Sequence, residues 1–202
     1  MNREGIMVDV SHISDSTFYD VMKITKAPVI ASHSSCRKFT PGFERNMSDE
    51  MLKVLAKNDG VIMINFGSTF IDNEVKTRRE NLGKDYRARL KAAGLKHGEP
   101  EAEKIFEAMN AEAGFYSNIN VVVNHIENVI KVAGVDHVGF GSDFDGVGDT
   151  LPTGLKDVAD YPNIIKELLK RGYSEEDIEK ICSKNLFRVW TKVLDISEKL
   201  KS

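Results

Sequence analysis

Two short segments of the sequence each place a histidine at the end of an apolar run. Residues 7–14 read "MVDVSHIS" and contain His12, and residues 28–35 read "PVIASHSS" and contain His33. Neutral imidazole is a good zinc ligand, and carboxylates complete such sites. Two histidines on adjacent strands can meet one ion, so these residue types favour a zinc site.

Each candidate residue also has an ordinary structural explanation. A single histidine that ends a strand is more often a hydrogen-bonded structural residue than a ligand, and a pair on neighbouring strands strengthens the metal interpretation. The segment "GFGSDFDGVGD" can be a glycine-rich turn in which Asp143 is a turn former. It lacks the length and closing glutamate of a calcium loop. By default Arg45 is a solvated loop residue, His97 is exposed, and His125 is a satisfied core histidine.

The composition excludes several classes of function. The chain has 202 residues, of which 41% are hydrophobic and 29% charged, as in a soluble globular protein with one sizeable core. Its net charge is −3 with scattered Lys and Arg, so nucleic acid is not expected as a partner. Cys36 and Cys182 lie far apart, which indicates neither a disulfide framework nor a thiolate metal site. We therefore expect a reducing, cytoplasmic compartment, and the short apolar runs predict no membrane segment.

Four apolar, β-branched segments predict strands that are buried on both faces, as in a parallel sheet. With helical patterns between them, the order is βαβαβαβα, which can build an open doubly wound sheet or a (β/α)8 barrel. Four units are half of a barrel. No P-loop and no glycine fingerprint is present, which disfavours a nucleotide-binding fold. The predicted strands are 6–10, 29–32, 61–66 and 137–140.

Polar side chains follow these predicted strands. In parallel α/β folds, functional groups gather where strands end, because those ends form one face of the sheet. His12, His33, Asn65 and Asp143 each fall at such an end, so we expect them on one shared face.

Helix signals lie between and after the predicted strands. Ser14 and Ser48 are predicted N-caps, and Ser174 with Asp177 forms a predicted capping box. A charged stretch between the third and fourth strands, about 73–118, predicts an insertion of two solvated helices. The other predicted helices are Ser14 to about Thr25, Ser48 to about Gly60, 119–133, 161–171, 175–182 and 185–200.

Five motifs in order resemble one known family. They are "GIMVDVSHIS", "APVIASHSS", "RNMSDEML", "VIMINF" and "VAGVDHVGFGSDFDG". Together they look like the C-terminal half of the membrane (renal) dipeptidase family of zinc metallopeptidases, and the 21 positions from His12 to His33 fit that family's histidine pair. The resemblance covers nearly the whole chain except the predicted insertion.

The resemblance implies a fold, a cofactor and roles for individual residues. The family is a (β/α)8 TIM barrel with a two-zinc centre at its C-terminal face. His12 and His33 match the pair that binds the second zinc, and Arg45 matches the arginine that holds the terminal carboxylate of the dipeptide substrate. Asp143 matches the aspartate that approaches the first zinc and handles a proton. The implied reaction is hydrolysis of a dipeptide amide by a metal-activated hydroxide.

The sequence departs from the family pattern in one respect. The family holds its first zinc with a His-x-Asp pair on the opening strand and bridges both metals with a glutamate, whereas this sequence contains no His-x-Asp. We therefore expect residues 1–202 to be a partial barrel domain, a fragment with at most a partial zinc site and negligible activity alone. A homodimer or a missing N-terminal half could close the barrel, and only the latter would supply the missing ligands.

Two other interpretations remain open. The chain could be a catalytically inactive half-barrel that acts as a binding or assembly partner. It could also be a metal-dependent barrel hydrolase of cyclic amides, which "SDFDG" and the spacing of the histidines disfavour.

Overall fold

Four parallel strands form the centre of the protein, whose computed structural model describes residues 1–112 and 116–202. The sheet order is β1-β2-β3-β4, so each strand pairs with its neighbours in sequence, as the βα pattern predicts. The first strand is shorter than predicted, because its ladder with the second pairs only Val8 with Val29 and Asp9 with Ile30. The strands are β1 (Val8–Asp9), β2 (Val29–Ser34), β3 (Val61–Ile64) and β4 (Val138–Phe140).

The helices begin where the sequence places capping residues. The side chains of Ser14 and Ser48 each accept a hydrogen bond from a backbone N–H three residues on, and Ser174 forms the predicted capping box. The helices are α1 (Asp15–Ile24), α2 (Asp49–Lys57), α3 (Ser68–Ile71), α4 (Asn73–Ala93), α5 (Pro100–Glu112), α6 (Ile119–Ala133), α7 (Tyr161–Lys170), α8 (Glu175–Glu179) and α9 (Asn185–Lys201). One turn of π-helix joins α8 directly to α9, where the sequence predicts two separate helices.

Both faces of the sheet are covered, which explains why its strands are apolar without alternation. On one face, Ile62 and Ile64 belong to a large cluster that α2, α6 and α7 complete. On the other face, Ile30 and Val61 pack with Val189 and other residues of α9. Burying each such side chain contributes about 1.5–3 kcal/mol, so the two layers hold the strand ends in fixed positions.

Helices α4 and α5 lie in the charged stretch 73–118, where the sequence predicts two solvated helices. They are not wholly solvated, because α4 and α5 bury a small cluster of their own that contains Tyr86, Leu90, Ala102 and Met109. Residues 113–115 of the predicted insertion lie outside the described residues. None of the helices in the described part of the chain is both long and apolar enough to cross a membrane.

Candidate active site

The four residues singled out from the sequence lie at one edge of the sheet. His12 follows β1, His33 lies near the end of β2, and Asp143 follows β4, while Arg45 lies in the loop between β2 and α2. The carboxyl ends of parallel strands share an edge, which brings these positions together. The charge of Asp143 acts on both His12 and Arg45, so the structure gathers all four side chains in one region.

The two histidines face each other across the ends of β1 and β2. Their Nε2 atoms are 2.8 Å apart, and their ring centroids are 4.8 Å apart with the ring planes inclined at 55°. His12 is exposed and His33 is half-buried. Two imidazole nitrogens from neighbouring strands therefore converge on one point that is open to solvent.

Arg45 is anchored against this pair. One of its terminal nitrogens, Nη2, donates to Nε2 of His12 at 2.9 Å and to the carbonyl oxygen of His33 at 2.7 Å, and Nη1 donates to Oγ of Ser34 at 2.8 Å. Its guanidinium carbon lies 5.7 Å from the ring centre of Phe70. The default expectation of a solvated loop arginine is wrong, because the side chain is half-buried and held by three hydrogen bonds.

Asp143 is held by a buried amide. Asn65 donates from Nδ2 to Oδ2 of Asp143 at 2.8 Å, and the other end of the same amide accepts from the backbone N–H of Gly67 at 2.7 Å. A Cβ at position 146 would lie 2.0 Å from Oδ1 of Asp143, so a larger residue there would displace this carboxylate. Asn65, predicted as a polar strand end, therefore orients the carboxylate of Asp143.

Backbone strain also concentrates at this edge. Three non-glycine residues of the described part of the chain have positive φ angles, namely His12 at 65°, Asp59 at 63° and Asp143 at 64°. A left-handed conformation costs roughly 1–2 kcal/mol for a residue with a Cβ atom, and such outliers cluster at functional sites. Two of the three are candidate site residues, and the third directly precedes Gly60 after α2.

Sequence reasoning missed two residues behind the histidine pair. Oδ1 of Asp9 accepts from the backbone N–H groups of Ser11 at 2.9 Å and Ser32 at 3.0 Å, and its Oδ2 contacts the Ser32 hydroxyl. The same hydroxyl oxygen lies 2.7 Å from Nδ1 of His33. Burial raises the pKa of Asp9, but these hydrogen bonds outweigh burial and leave the pKa below its ordinary value. The sequence feature that could have identified Asp9 is its position as a charged residue inside the apolar run "MVDV".

Charges around His12 favour its neutral form. Burial lowers the pKa of His12, and the nearby Arg45 and His33 lower this pKa further, while Asp143 and Asp9 oppose the shift. Burial also lowers the pKa of Arg45. His12 therefore offers a neutral imidazole at neutral pH, which is the form that ligates metals.

The donor set matches part of a zinc site. Zinc binds imidazole nitrogen at about 2.0–2.1 Å, so two ligands of a tetrahedral ion lie about 3.3 Å apart. The two Nε2 atoms, 2.8 Å apart, need only a small separation to reach that spacing. Within the described residues, no group of three or more His, Cys, Asp or Glu side chains is placed to hold a metal ion. The described residues therefore fit two positions of a zinc ion, fewer than the three protein ligands of a catalytic site.

Two other histidines match their structural predictions. His125 is fully buried, with Nδ1 accepting from the backbone N–H of Cys36 at 2.9 Å and Nε2 donating to the carbonyl of Ile71 at 2.9 Å. Burial lowers its pKa to about 4. The prediction of a satisfied core histidine is confirmed, and His97 is exposed as predicted.

Comparison with known sequences finds a matching family and a curated relative. The profile of the family described as membrane dipeptidase, peptidase family M19, matches residues 1–202. The uncharacterized dipeptidase C965.12 of Schizosaccharomyces pombe is 37% identical over 206 residues. That alignment covers 100% of this chain and 40% of the relative, so the chain spans less than half the length of this curated relative.

Solved structures of metallopeptidases share the fold of this chain. A metallo peptidase from Rhodobacter sphaeroides, solved with a phosphinate mimic of the dipeptide L-Ala-D-Ala, is 26% identical with a TM-score of 0.71. The probable dipeptidase PvdM from Pseudomonas aeruginosa is 27% identical with a TM-score of 0.78. These similarities cover 95% and 96% of this chain, but 44% and 52% of the solved chains. The four-stranded parallel sheet thus has the α/β fold of M19 dipeptidase structures.

Proposed function

The chain belongs to the membrane dipeptidase family, peptidase family M19, and we propose that it contributes to a zinc-dependent site that hydrolyses the amide bond of dipeptides. The observation that carries the proposal is the convergence of His12 and His33 beside Arg45 at the carboxyl edge of the sheet. A sequence relative named as an uncharacterized dipeptidase and a structural neighbour solved with a dipeptide mimic support this substrate class.

In this proposal His12 and His33 hold zinc through their Nε2 atoms. When bound, zinc supplies a Lewis acid and a hydroxide nucleophile at neutral pH. Both histidines stand on strand ends that are packed on two faces, so their positions are set before a metal arrives. Two imidazoles are too few for a tight catalytic site, and we propose that the remaining ligands come from residues outside the described sheet.

A half-barrel architecture accounts for that incomplete ligand set. We propose that residues 1–202 form the C-terminal four βα units of a (β/α)8 barrel, with 73–118 as a helical insertion. The chain spans 40% of its curated relative and 44–52% of the two solved neighbours, which supports such a division. A segment with a His-x-Asp pair and a bridging glutamate would complete the site.

Arg45 is suited to bind the terminal carboxylate of a dipeptide. A guanidinium presents a planar fork of donors that matches a carboxylate. The buried Nε of Arg45 has no hydrogen-bond partner among the described residues, and its Nη2 donates to His12. A substrate carboxylate would take the bond that Nη2 now makes to His12, which frees that imidazole nitrogen.

Asp143 is suited to move a proton towards the leaving amine. An amine leaves a tetrahedral adduct only after gaining a proton, and a positioned carboxyl group can deliver it. Asn65 fixes one oxygen of Asp143, and the left-handed backbone turns the side chain back over Gly146. The carboxylate is therefore held at the edge of the sheet near His12 and Arg45.

A second candidate function is a catalytically inactive half-barrel that acts as a binding or assembly partner. The specific observation in its favour is that the described residues offer only two convergent metal ligands. In this case the histidine pair would bind no zinc beyond the level of an unrelated exposed histidine.

The proposal is tested first by zinc titration of the purified chain. We expect weak binding of one zinc ion, lost in His33→Ala and kept in His97→Ala, together with negligible dipeptide hydrolysis by the chain alone. Equal zinc binding by His33→Ala and the unsubstituted chain would favour the inactive half-barrel.

A chimera tests catalysis. In the Schizosaccharomyces pombe relative, the segment that aligns with this chain is replaced by the chain, after the relative's own hydrolysis of a dipeptide panel has been measured. We expect zinc-dependent hydrolysis with a raised KM in Arg45→Met and a lowered kcat in Asp143→Asn. A folded chimera that binds zinc but keeps its activity in both variants would contradict the assigned roles.

A further inference from the structure

A chain of polar contacts runs from the end of β1 to the outer nitrogen of the histidine pair. Asp9 contacts the hydroxyl of Ser32, that hydroxyl contacts Nδ1 of His33, and Nε2 of His33 faces His12. Asp9 belongs to β1 and Ser32 to β2, and the two residues are 23 positions apart in sequence. None of the roles described above uses Asp9 or Ser32.

The position of each proton in this chain follows from the donors and acceptors. An ionised carboxylate only accepts hydrogen bonds, and a serine hydroxyl has a single proton to donate. If Ser32 gave its proton to His33, its oxygen would face Oδ2 of Asp9 at close range with no hydrogen between them. Ser32 therefore donates to Asp9, and Nδ1–H of His33 donates to Ser32.

When the ring of His33 is neutral, this assignment leaves a lone pair on its Nε2. The facing nitrogen of His12 also carries a lone pair, because it accepts from the guanidinium of Arg45, which has no acceptor. With this assignment no proton lies between the two Nε2 atoms, which are 2.8 Å apart. Such an arrangement is repulsive by itself and is relieved by a cation between the two nitrogens.

We propose that Asp9 and Ser32 are positioning residues that hold the proton of His33 on Nδ1 and so keep its Nε2 lone pair available for metal. The inference deepens the proposed function and rests on it for its purpose. In the opposite tautomer, Nε2–H of His33 would donate to His12, and the pair would close on itself as an ordinary hydrogen bond. Partners that orient metal-ligating histidines in this way raise metal affinity about 10–100-fold.

The geometry also predicts what an amide at position 9 would do. Oδ1 of Asp9 accepts from two backbone N–H groups, so the oxygen of an asparagine must occupy that place and its NH2 must face Ser32. The amide then donates to the hydroxyl of Ser32, and Ser32 gives its own proton to Nδ1 of His33. Asp9→Asn should therefore reverse the donor and acceptor roles in these hydrogen bonds and move the proton of His33 to Nε2.

The test is a two-bond ¹H–¹⁵N correlation spectrum of the ¹⁵N-labelled, metal-free full chain, at a pH where the imidazoles are neutral. We expect His33 as the Nδ1–H tautomer in the unsubstituted chain, as the Nε2–H tautomer in Asp9→Asn, and as a mixture in Ser32→Ala. Ser32→Thr keeps the hydroxyl and should restore the unsubstituted pattern. Ser197→Ala, which removes a hydroxyl bond of 2.7 Å to the carbonyl of Arg3, is the matched control and should change nothing at His33.

Zinc titration of the same variants separates this inference from the proposed function. We expect zinc affinity to fall about 10–100-fold in Asp9→Asn and Ser32→Ala and to stay unchanged in Ser197→Ala. An Nε2–H tautomer in the unsubstituted chain, or a tautomer that ignores Asp9→Asn, would overturn the positioning role. If the tautomer follows Asp9 while the chain binds no zinc, the positioning role stands and the proposed zinc function fails.

Discussion

His125 and the His12–His33 pair show two different uses of imidazole within one small fold. His125 is fully buried, and both of its ring nitrogens are bonded to backbone groups. The pair lies at the open edge of the sheet, and its Nε2 atoms face each other instead of the backbone. The difference teaches that the partners of the ring nitrogens, more than position on a strand or helix, separate a structural histidine from a candidate ligand.

The largest expected effect is on stability, at His125. His125→Ala leaves a cavity and removes the partners of the Cys36 N–H and the Ile71 carbonyl, so we expect a loss of about 3–5 kcal/mol in unfolding free energy. His12→Ala, at an exposed position, should change the unfolding free energy by less than about 1 kcal/mol. Urea unfolding of both variants measures this contrast. Equal losses of unfolding free energy in the two variants would contradict the prediction.

The pH dependence of stability should also trace to His125. Its pKa is about 4 in the folded chain against 6.5 for an ordinary histidine, so the unfolded chain takes up the proton first as the pH falls. The stabilisation is complete above pH 6.5 and is lost as the pH falls from 6.5 towards 4, by about 3 kcal/mol in total.

Urea midpoints measured across this pH range check that prediction. His125→Gln keeps a donor and an acceptor but cannot take up a proton, so its unfolding free energy should fall less steeply with acid than that of the unsubstituted chain. Parallel curves for the two proteins would show that His125 does not contribute to acid sensitivity.

For zinc affinity, unlike stability, we expect the larger loss from substitution in the His12–His33 pair. His33→Ala removes one of two convergent ligands, and we expect its zinc affinity to fall more than about 100-fold, beyond the loss typical of supporting residues. His97→Ala removes an exposed histidine of the same kind away from the pair and serves as the control. A similar loss in both variants would indicate nonspecific binding to surface histidines.

The smallest expected effect concerns the strained backbone at His12. Because φ is 65° there, His12→Gly should be more stable than His12→Ala by about 1 kcal/mol, while both lose zinc binding. His97 has no such φ, so glycine should bring no such gain over alanine at that position. Urea midpoints of the four variants test the point, and a less stable His12→Gly would contradict it.

The sequence predicts the parts of this structure that depend on local patterns. The caps at Ser14 and Ser48 and the span of α6 follow from nearby residues, because capping and amphipathic periodicity act over a few positions. The run 175–200 lacks a helix-breaking Gly or Pro, which is consistent with the continuous passage from α8 through a π-turn into α9.

The contacts that define the candidate site depend on tertiary structure. Asp9 and Ser32 are 23 positions apart and meet only because β1 and β2 pair in one register. Likewise, the burial of Arg45 follows from its contacts with Ser34 and His33, which no local pattern encodes. The pairing of His12 with His33 is predictable, because His12 directly follows the first predicted strand and His33 lies at the end of the second, its neighbour in the sheet.

X-ray absorption at the zinc edge of the zinc-loaded full chain tests the central claim most directly. If His12 and His33 converge on one ion, the spectrum should show two imidazole nitrogens at about 2.0 Å together with oxygen ligands. The imidazole scattering should disappear in the His12→Ala, His33→Ala double variant. Imidazole scattering that persists in the double variant, or is absent from the unsubstituted chain, would contradict the account.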